Sequence, residues 1–126
     1  PPTTPPPPPP TTTRLEWRRQ RQMCIRDSLQ PTPGHTPGHV SIHIESQGES
    51  ALITGDCIHH PCQMTRPEWC SSADYDAVAA RATREALLQN YADQSALIIG
   101  THFATPTAGH VKRRADGNYW FDVGAS

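Results

Sequence analysis

Apolar and polar positions alternate in residues 39–46, HVSIHIES, where Val40, Ile42 and Ile44 fall on one face. A period of two is typical of a half-buried strand. The turn-forming residues QGES follow, and then the short apolar run ALIT, which ends at the dipeptide GD. The pattern therefore predicts a β-hairpin over residues 40–54.

A helical pattern follows a stretch that has no pattern. Residues 57–70, CIHHPCQMTRPEWC, contain two prolines and no regular period, and are predicted to form a loop. Ser71 or Ser72 can cap a helix, with Asp74 in its first turn. Apolar residues then recur at helical spacing, which predicts an amphipathic helix over about 73–91. The residues of this apolar face are Tyr75, Val78, Ala79, Ala82 and Ala86.

The last third of the chain holds three short strand patterns. The run SALIIG, residues 95–100, is typical of a buried strand, and THF follows it directly. Residues 110–123 contain two strand-like runs on either side of Asp116-Gly117, a strong hairpin signal. The predicted order is β-β-loop-α-β-loop-β-β. This is an α+β arrangement with too few strands for a barrel and one helix to cover one face of the sheet.

Composition limits the classes of partner. The chain has 126 residues, which predicts one domain at most, and a net charge of −1. There is no basic patch interleaved with aromatic residues, so nucleic acid is not expected as a partner. No apolar run has the roughly 20 residues of a membrane span, so a membrane is not expected either. The four cysteines include no CxxC pair, and a cytoplasmic location is the default expectation. The oligomeric state stays open.

Residues 1–30 differ from the rest of the chain. Residues 1–13, PPTTPPPPPPTTT, are of low complexity and are typical of polyproline II or disorder. The string MCIRDS, residues 23–28, resembles the in-frame translation of a transposon end used in sequencing-library adapters. We therefore expect residues 1–30 to be non-native or disordered, and residues 1–28 to lack stable contacts with the folded unit over 31–126. The alternative is a proline-rich adaptor segment that binds SH3- or WW-like domains.

Three potential metal ligands share a place at the end of a strand. His39 precedes the strand that starts at Val40, Asp56 follows ALITG, and His102 follows SALIIG and one threonine. Side chains on loops carried by one sheet can converge on a point. Two imidazoles and a carboxylate suit Zn²⁺. The sequence therefore predicts that the three residues cluster at one edge of the sheet, although each alone has a plainer interpretation as a turn former or a surface residue.

The ordered set TPGHTPGH, hairpin, GD, helix and GTHF resembles the C-terminal half of the metallo-β-lactamase fold. The likeness is closest to the branch of quorum-quenching lactonases and methyl-parathion-hydrolase-like enzymes, and it covers about residues 31–123. It implies that this piece holds part of an αββα sandwich. It also implies that His39 ligates the first of two zinc ions, that Asp56 bridges both, that His102 ligates the second, and that His35 is not a ligand.

The resemblance implies a metal-dependent hydrolase acting on a small molecule. Such an enzyme activates water at a binuclear site to cleave an ester, lactone or phosphotriester bond, and Asp56 can take the proton. The HxHxDH signature of the family, which supplies further ligands, is absent from the sequence. We therefore expect the chain to be the back half of an enzyme and to be inactive by itself.

The loop over residues 57–70 offers two further interpretations. His59, His60, Met64 and Trp69 are candidates for a substrate pocket, with ordinary packing as an equal alternative. The run CIHHPC also places Cys57, His59, His60 and Cys62 close enough in sequence to suggest a small structural zinc module. Its tight spacing argues against this, because zinc fingers separate their ligand pairs by about twelve residues.

Overall fold

The computed structural model describes residues 26–124, which form one six-stranded mixed sheet and two helices. The strands are β1 (Arg26–Pro31), β2 (Val40–Ser46), β3 (Glu49–Ile53), β4 (Leu97–Ile99), β5 (Ala108–Arg113) and β6 (Tyr119–Asp122). The helices are α1 (Cys62–Thr65) and α2 (Ala77–Tyr91), and a 3₁₀ turn covers Gly55–Cys57. The α+β class predicted from the sequence is confirmed.

The strands follow one another across the sheet in chain order, from β1 to β6. All neighbouring pairs are antiparallel except β3 and β4, which are parallel and are separated in sequence by both helices. The predicted hairpins over 40–54 and around Asp116-Gly117 are both present. In the first of them the turn residues Gln47 and Gly48 have positive φ values of 52° and 82°, which two-residue hairpin turns of type I′ require.

One face of the sheet is the core. Leu52, Ile98 and Val111, from β3, β4 and β5, are fully buried there. They form one apolar cluster with Leu87 and Leu88 of α2. The predicted strand around SALIIG is confirmed, and its buried residue is Ile98 because alternate side chains point to opposite faces.

The other face of the sheet is apolar and partly exposed. A row of directly paired positions crosses five strands there, namely Leu29, Ile42, Ile53, Ile99 and Ala108. Leu29 is 68% exposed and Ile42 is 38% exposed. The expectation that Val40, Ile42 and Ile44 mark the buried face of β2 is therefore wrong in this chain. The fully buried residue of β2 is Ser41, which belongs to the face occupied by Leu52 and α2.

Helix α2 begins later than predicted and buries a different face. Its N-cap is Asp76, whose side chain accepts hydrogen bonds from the N–H groups of Val78 and Ala79, so neither Ser71 nor Ser72 caps it. Val78, at 80% exposed, lies on the solvent side. The buried residues are Ala80, Arg84, Leu87 and Leu88, which are offset from the predicted apolar face.

The first described strand, β1, begins before residue 31. Strand β1 pairs with β2 from Arg26↔Glu45 to Pro31↔Val40, so the expected limit at residue 30 falls inside a strand, and residues 26–28 do make stable contacts. Residues 1–25, with the proline tract and the first half of the adapter-like string, lie outside the described residues. The predicted loop over 57–70 contains the single turn of α1. Within residues 26–124, no helix is long and apolar enough to cross a membrane.

Candidate metal centre

Asp56 and His102 meet because β3 and β4 are parallel. The carboxyl ends of parallel strands lie at the same edge of a sheet, and each of these residues follows one of the two strands. Nε2 of His102 lies 2.6 Å from Oδ1 of Asp56. Both side chains are partly open to solvent, at 49% and 39% exposed. The predicted convergence of strand ends is therefore present for this pair.

The second oxygen of Asp56 faces a different histidine. Nε2 of His35 lies 3.4 Å from Oδ2 of Asp56, and the His35 side chain is largely buried. His35 belongs to the segment between β1 and β2, which the sequence placed near the site but not within it. The Asp56 carboxylate thus has one imidazole at each oxygen.

His59 fills the space between these two imidazoles. Its ring is centred 5.1 Å from that of His35 and 5.2 Å from that of His102, stacked on the latter with an interplanar angle of 19°. Asp56, His59 and His102 each offer one ligand atom within 4.8 Å of the others. Nδ1 of His59 is buried and has no hydrogen-bond partner among the described residues. An orphaned imidazole nitrogen beside a carboxylate and a second imidazole fits the donor set of a zinc ion.

The charge states favour metal binding at neutral pH. The hydrogen bond from His102 lowers the pKa of the Asp56 carboxyl below its ordinary value, and the nearby histidines add to this effect. Burial lowers the pKa of His59, because an imidazolium there would lose its hydration. An ionised carboxylate and a neutral imidazole are the forms that coordinate a metal ion.

His39 lies at the same edge but contacts the backbone of the site. Its Nε2 accepts a hydrogen bond from the N–H of Asp56 at 2.9 Å, and its Nδ1 donates to the carbonyl of Thr32 at 3.0 Å. Both ring nitrogens therefore have protein partners, so His39 has no free lone pair to offer. The ligand role of His39 stays a prediction from the sequence, and the imidazole of this segment that faces the Asp56 carboxylate is that of His35. Both histidines belong to the doubled motif TPGHTPGH, whose sequence does not distinguish them. Their contacts do, because His35 faces the Asp56 carboxylate and His39 contacts the backbone.

The predicted pocket residues separate into three environments. Met64 is fully buried in the apolar cluster, so it has no surface with which to line a pocket. His60 and Trp69 are exposed, whereas His59 belongs to the ligand group. Gln63, which the sequence did not single out, holds this loop. Its side-chain oxygen accepts from the N–H of His59 at 2.7 Å, and its amide nitrogen donates to the carbonyl of Trp69 at 2.7 Å.

The alternative zinc module does not assemble in the described residues. Cys57 is buried and contacts Ser41, while His60 is exposed and accepts a hydrogen bond from the N–H of Cys62. Neither cysteine belongs to the ligand group around Asp56. The cysteines at 57, 62 and 70 are free.

Comparison with known proteins agrees with this arrangement. The family model for the metallo-beta-lactamase superfamily matches residues 2–115. The chain belongs to this superfamily. No curated protein matches the chain.

The solved structures that are similar to the chain include a hydrolase and two lactone-cleaving enzymes. The hydrolase AbOPH of the beta lactamase superfamily is 31% identical over 79% of this chain and 35% of its own, with a TM-score of 0.71. AidC, a dizinc quorum-quenching lactonase in complex with a product, is 32% identical over 79% and 34%, with a TM-score of 0.71. An N-acyl homoserine lactone hydrolase with its product at the catalytic metal centre is 25% identical over 64% and 32%, with a TM-score of 0.52. The chain thus spans about a third of the length of these solved structures.

Proposed function

We propose that this chain is part of a zinc-dependent hydrolase that activates water at a binuclear metal site. The bond cleaved is an ester, lactone or phosphotriester of a small molecule. The observation that supports two ions is the Asp56 carboxylate, which directs one oxygen to His102 and the other to His35. A carboxylate with an imidazole at each oxygen is suited to bridge two metal ions, each of which also takes one imidazole.

In this proposal Asp56 is the bridging ligand, and His35 and His102 belong to different ions. His59, whose buried Nδ1 has no hydrogen-bond partner within residues 26–124, would be the further donor between them. His39 positions Asp56 through its backbone N–H. Bound there, zinc would supply the Lewis acidity that makes water nucleophilic at neutral pH. Asp56 is a carboxylate at neutral pH, as its lowered pKa requires, and it can then take a proton from water beside the reacting centre.

The lactone class has the support of the relatives. AidC is a lactonase, and the N-acyl homoserine lactone hydrolase carries a homoserine product at its metal centre. Trp69, at 56% exposed, and His60 lie on the loop held by Gln63, where they can contact an apolar group of a substrate. Met64 is not part of this proposed pocket.

We further propose that the 126-residue chain alone is not a competent enzyme. The site offers only part of the ligand shell that two ions need, and metal affinity falls when ligands are missing. The open sheet face also leaves a contiguous apolar surface exposed, which favours association.

The test is a zinc titration of the metal-free 126-residue chain by calorimetry, together with an assay of lactone hydrolysis. Zinc affinity should fall by at least about tenfold in His102→Ala, Asp56→Asn and His35→Ala, since each removes a ligand or its orientation. The matched control is His43→Ala, because His43 lies in β2 away from the site. Lactone hydrolysis should appear only when an N-terminal half that carries HxHxDH is supplied. Unchanged affinity in all three variants would overturn the proposed site, and rapid turnover by the chain alone would overturn the proposed inactivity.

A further inference from the structure

We propose that Asp74, held by the buried guanidinium of Arg84, is a positioning residue that fixes the ring proton of His35 on Nδ1. The lone pair of Nε2 is thereby directed toward the candidate metal centre. This inference rests on the proposed function, because it concerns the orientation of one of the proposed ligands. Within residues 26–124, neither Asp74 nor Arg84 makes a hydrogen bond or an ion pair with Asp56, His59 or His102.

The contacts form a chain of charges and dipoles. Oδ1 of Asp74 lies 3.2 Å from Nδ1 of His35, on the side of the ring opposite to Asp56. Oδ2 of Asp74 accepts a hydrogen bond from the N–H of Ser71 at 3.0 Å and lies 3.5 Å from NH1 of Arg84. A carboxylate can only accept, and Asp74 is the closer and the more deeply buried of the two carboxylates that face the ring, so its contact selects the tautomer of His35 that donates from Nδ1. That tautomer leaves Nε2 free to coordinate.

Burial makes this selection strong. The side chains of Asp74 and Arg84 are 1% and 0% exposed, and His35 is 17% exposed. An ion pair away from water is screened little, and each partner would be costly to leave alone. The Asp74 carboxylate therefore has a fixed place and orientation relative to the His35 ring.

Arg84 is anchored on every side of its guanidinium. Nε donates to the carbonyl of Pro67 at 2.9 Å, and NH1 donates to the carbonyl of Cys57 at 3.3 Å. NH2 contacts Sγ of Cys70 at 3.0 Å. One planar group thus joins α2 to the segment after Asp56 and to the loop around Trp69. Lysine, a point charge with no fork, cannot reproduce these contacts.

The backbone strengthens the same connection. The N–H of Tyr75 donates to the carbonyl of His35 at 3.1 Å, and the N–H of Asp76 donates to the carbonyl of Gly34 at 2.9 Å. The segment that carries Asp74 therefore fixes the main chain of His35 as well as its ring. Gly34 allows this approach, because a Cβ at that position would lie 2.3 Å from the backbone of Ala80.

A plain structural ion pair is the competing explanation, and the tautomer of His35 separates the two. The measurement is ¹⁵N NMR of the histidine rings in the metal-free 126-residue chain, because the nitrogen shifts distinguish a protonated from an unprotonated ring nitrogen. In the unmodified chain His35 should be protonated on Nδ1. In Asp74→Asn the amide can donate to Nδ1 instead, so the proton should move toward Nε2. His39, whose Nδ1 donates to Thr32, serves as the internal control.

The second readout is zinc affinity, measured with zinc alone on the same chains. Asp74→Asn should bind zinc about 10- to 100-fold more weakly, the range typical of groups that orient a metal ligand. The control is Asp93→Asn, an exposed carboxylate near Arg113, which should leave both readouts unchanged. If the unmodified chain binds no zinc, the proposed function fails for this chain, and the tautomer still decides the role of Asp74.

Two results would overturn the inference. One is a folded, unmodified chain in which His35 carries its proton on Nε2, a result that needs no variant. The other is a folded Asp74→Asn chain in which the tautomer does not change, even if zinc affinity falls, because the loss would then come from charge or stability alone. Arg84→Lys provides a second variant if Asp74→Asn does not fold, and it should shift the same tautomer in the same direction by loosening Asp74.

Discussion

The backbone N–H of Asp56 donates a hydrogen bond to Nε2 of His39 at 2.9 Å. Through this contact His39 binds the backbone of Asp56 and not its carboxylate. His39 therefore stabilises the turn that carries Asp56. Because Nδ1 of His39 is fixed by Thr32, the ring joins the segment before β2 to the segment after β3.

We predict that His39→Ala lowers the free energy of unfolding by about 1–3 kcal/mol, because it leaves partly buried polar groups without partners. Zinc affinity should fall less than in His102→Ala, since no ligand is removed. Denaturant unfolding and zinc competition measure the two effects. If zinc binding disappears while the unfolding midpoint stays unchanged, His39 is itself a ligand, as the sequence suggested.

Gly55 is required by the same contact. Its φ is +58°, and a Cβ there would lie 2.8 Å from Nε2 of His39. Gly55→Ala should therefore lower the free energy of unfolding by roughly 1–2 kcal/mol, because alanine is strained in the left-handed conformation. It should lower it by a further amount because the new Cβ displaces the His39 ring. Gly117→Ala is the matched control, because Gly117 also has a positive φ, of +85°, but open space around it. Equal losses in thermal unfolding experiments on the two variants would show that the His39 ring moves aside freely.

The rate at which each cysteine is alkylated should depend on how deeply its thiol is buried. Burial raises the pKa of the Cys57 thiol to about 11. At pH 8 this alone reduces the thiolate, the reactive form, about 100-fold relative to an ordinary thiol. We therefore expect iodoacetamide to modify the exposed Cys70 long before Cys57, as read by peptide mass spectrometry. In strong denaturant the two rates should become similar, and rapid modification of Cys57 in the folded chain would contradict the buried geometry.

The two faces of the sheet should respond differently to substitution. Leu52→Ala, on the core face, should lower the free energy of unfolding by about 2–5 kcal/mol because it leaves a cavity. The double variant Leu29→Thr with Ile42→Thr, on the open face, should lower the free energy of unfolding by about 1 kcal/mol or less. It should also bind less of a hydrophobic dye, because the exposed apolar surface is smaller. A loss in the double variant as large as that of Leu52→Ala would show that the open face is covered in solution.

Local sequence signals determined most of the secondary structure. The period of two in β2 and the turn dipeptides Gln47-Gly48 and Asp116-Gly117 predicted both hairpins. The apolar run at residues 95–100 predicted β4. The position of Asp56 and His102 directly after strands predicted that they meet, because a strand end fixes where the next side chain can reach.

Long-range contacts decided what these signals left open. His35 and His39 occur in the same PGH motif, and only the pairing of their segment with Asp56, Asp74 and Thr32 assigns one to the carboxylate and the other to the backbone. The covered face of β2 and the buried face of α2 likewise depend on which surfaces pack together.

The strand and turn patterns of this sequence thus determined its elements and the edge where its ligands lie. The tertiary structure alone decided which nitrogen of which histidine faces the carboxylate. The physical reason is that propensity and turn chemistry act over a few neighbouring residues. The proton of an imidazole, by contrast, is set by a partner such as Asp74, which lies 39 residues away from His35 in sequence.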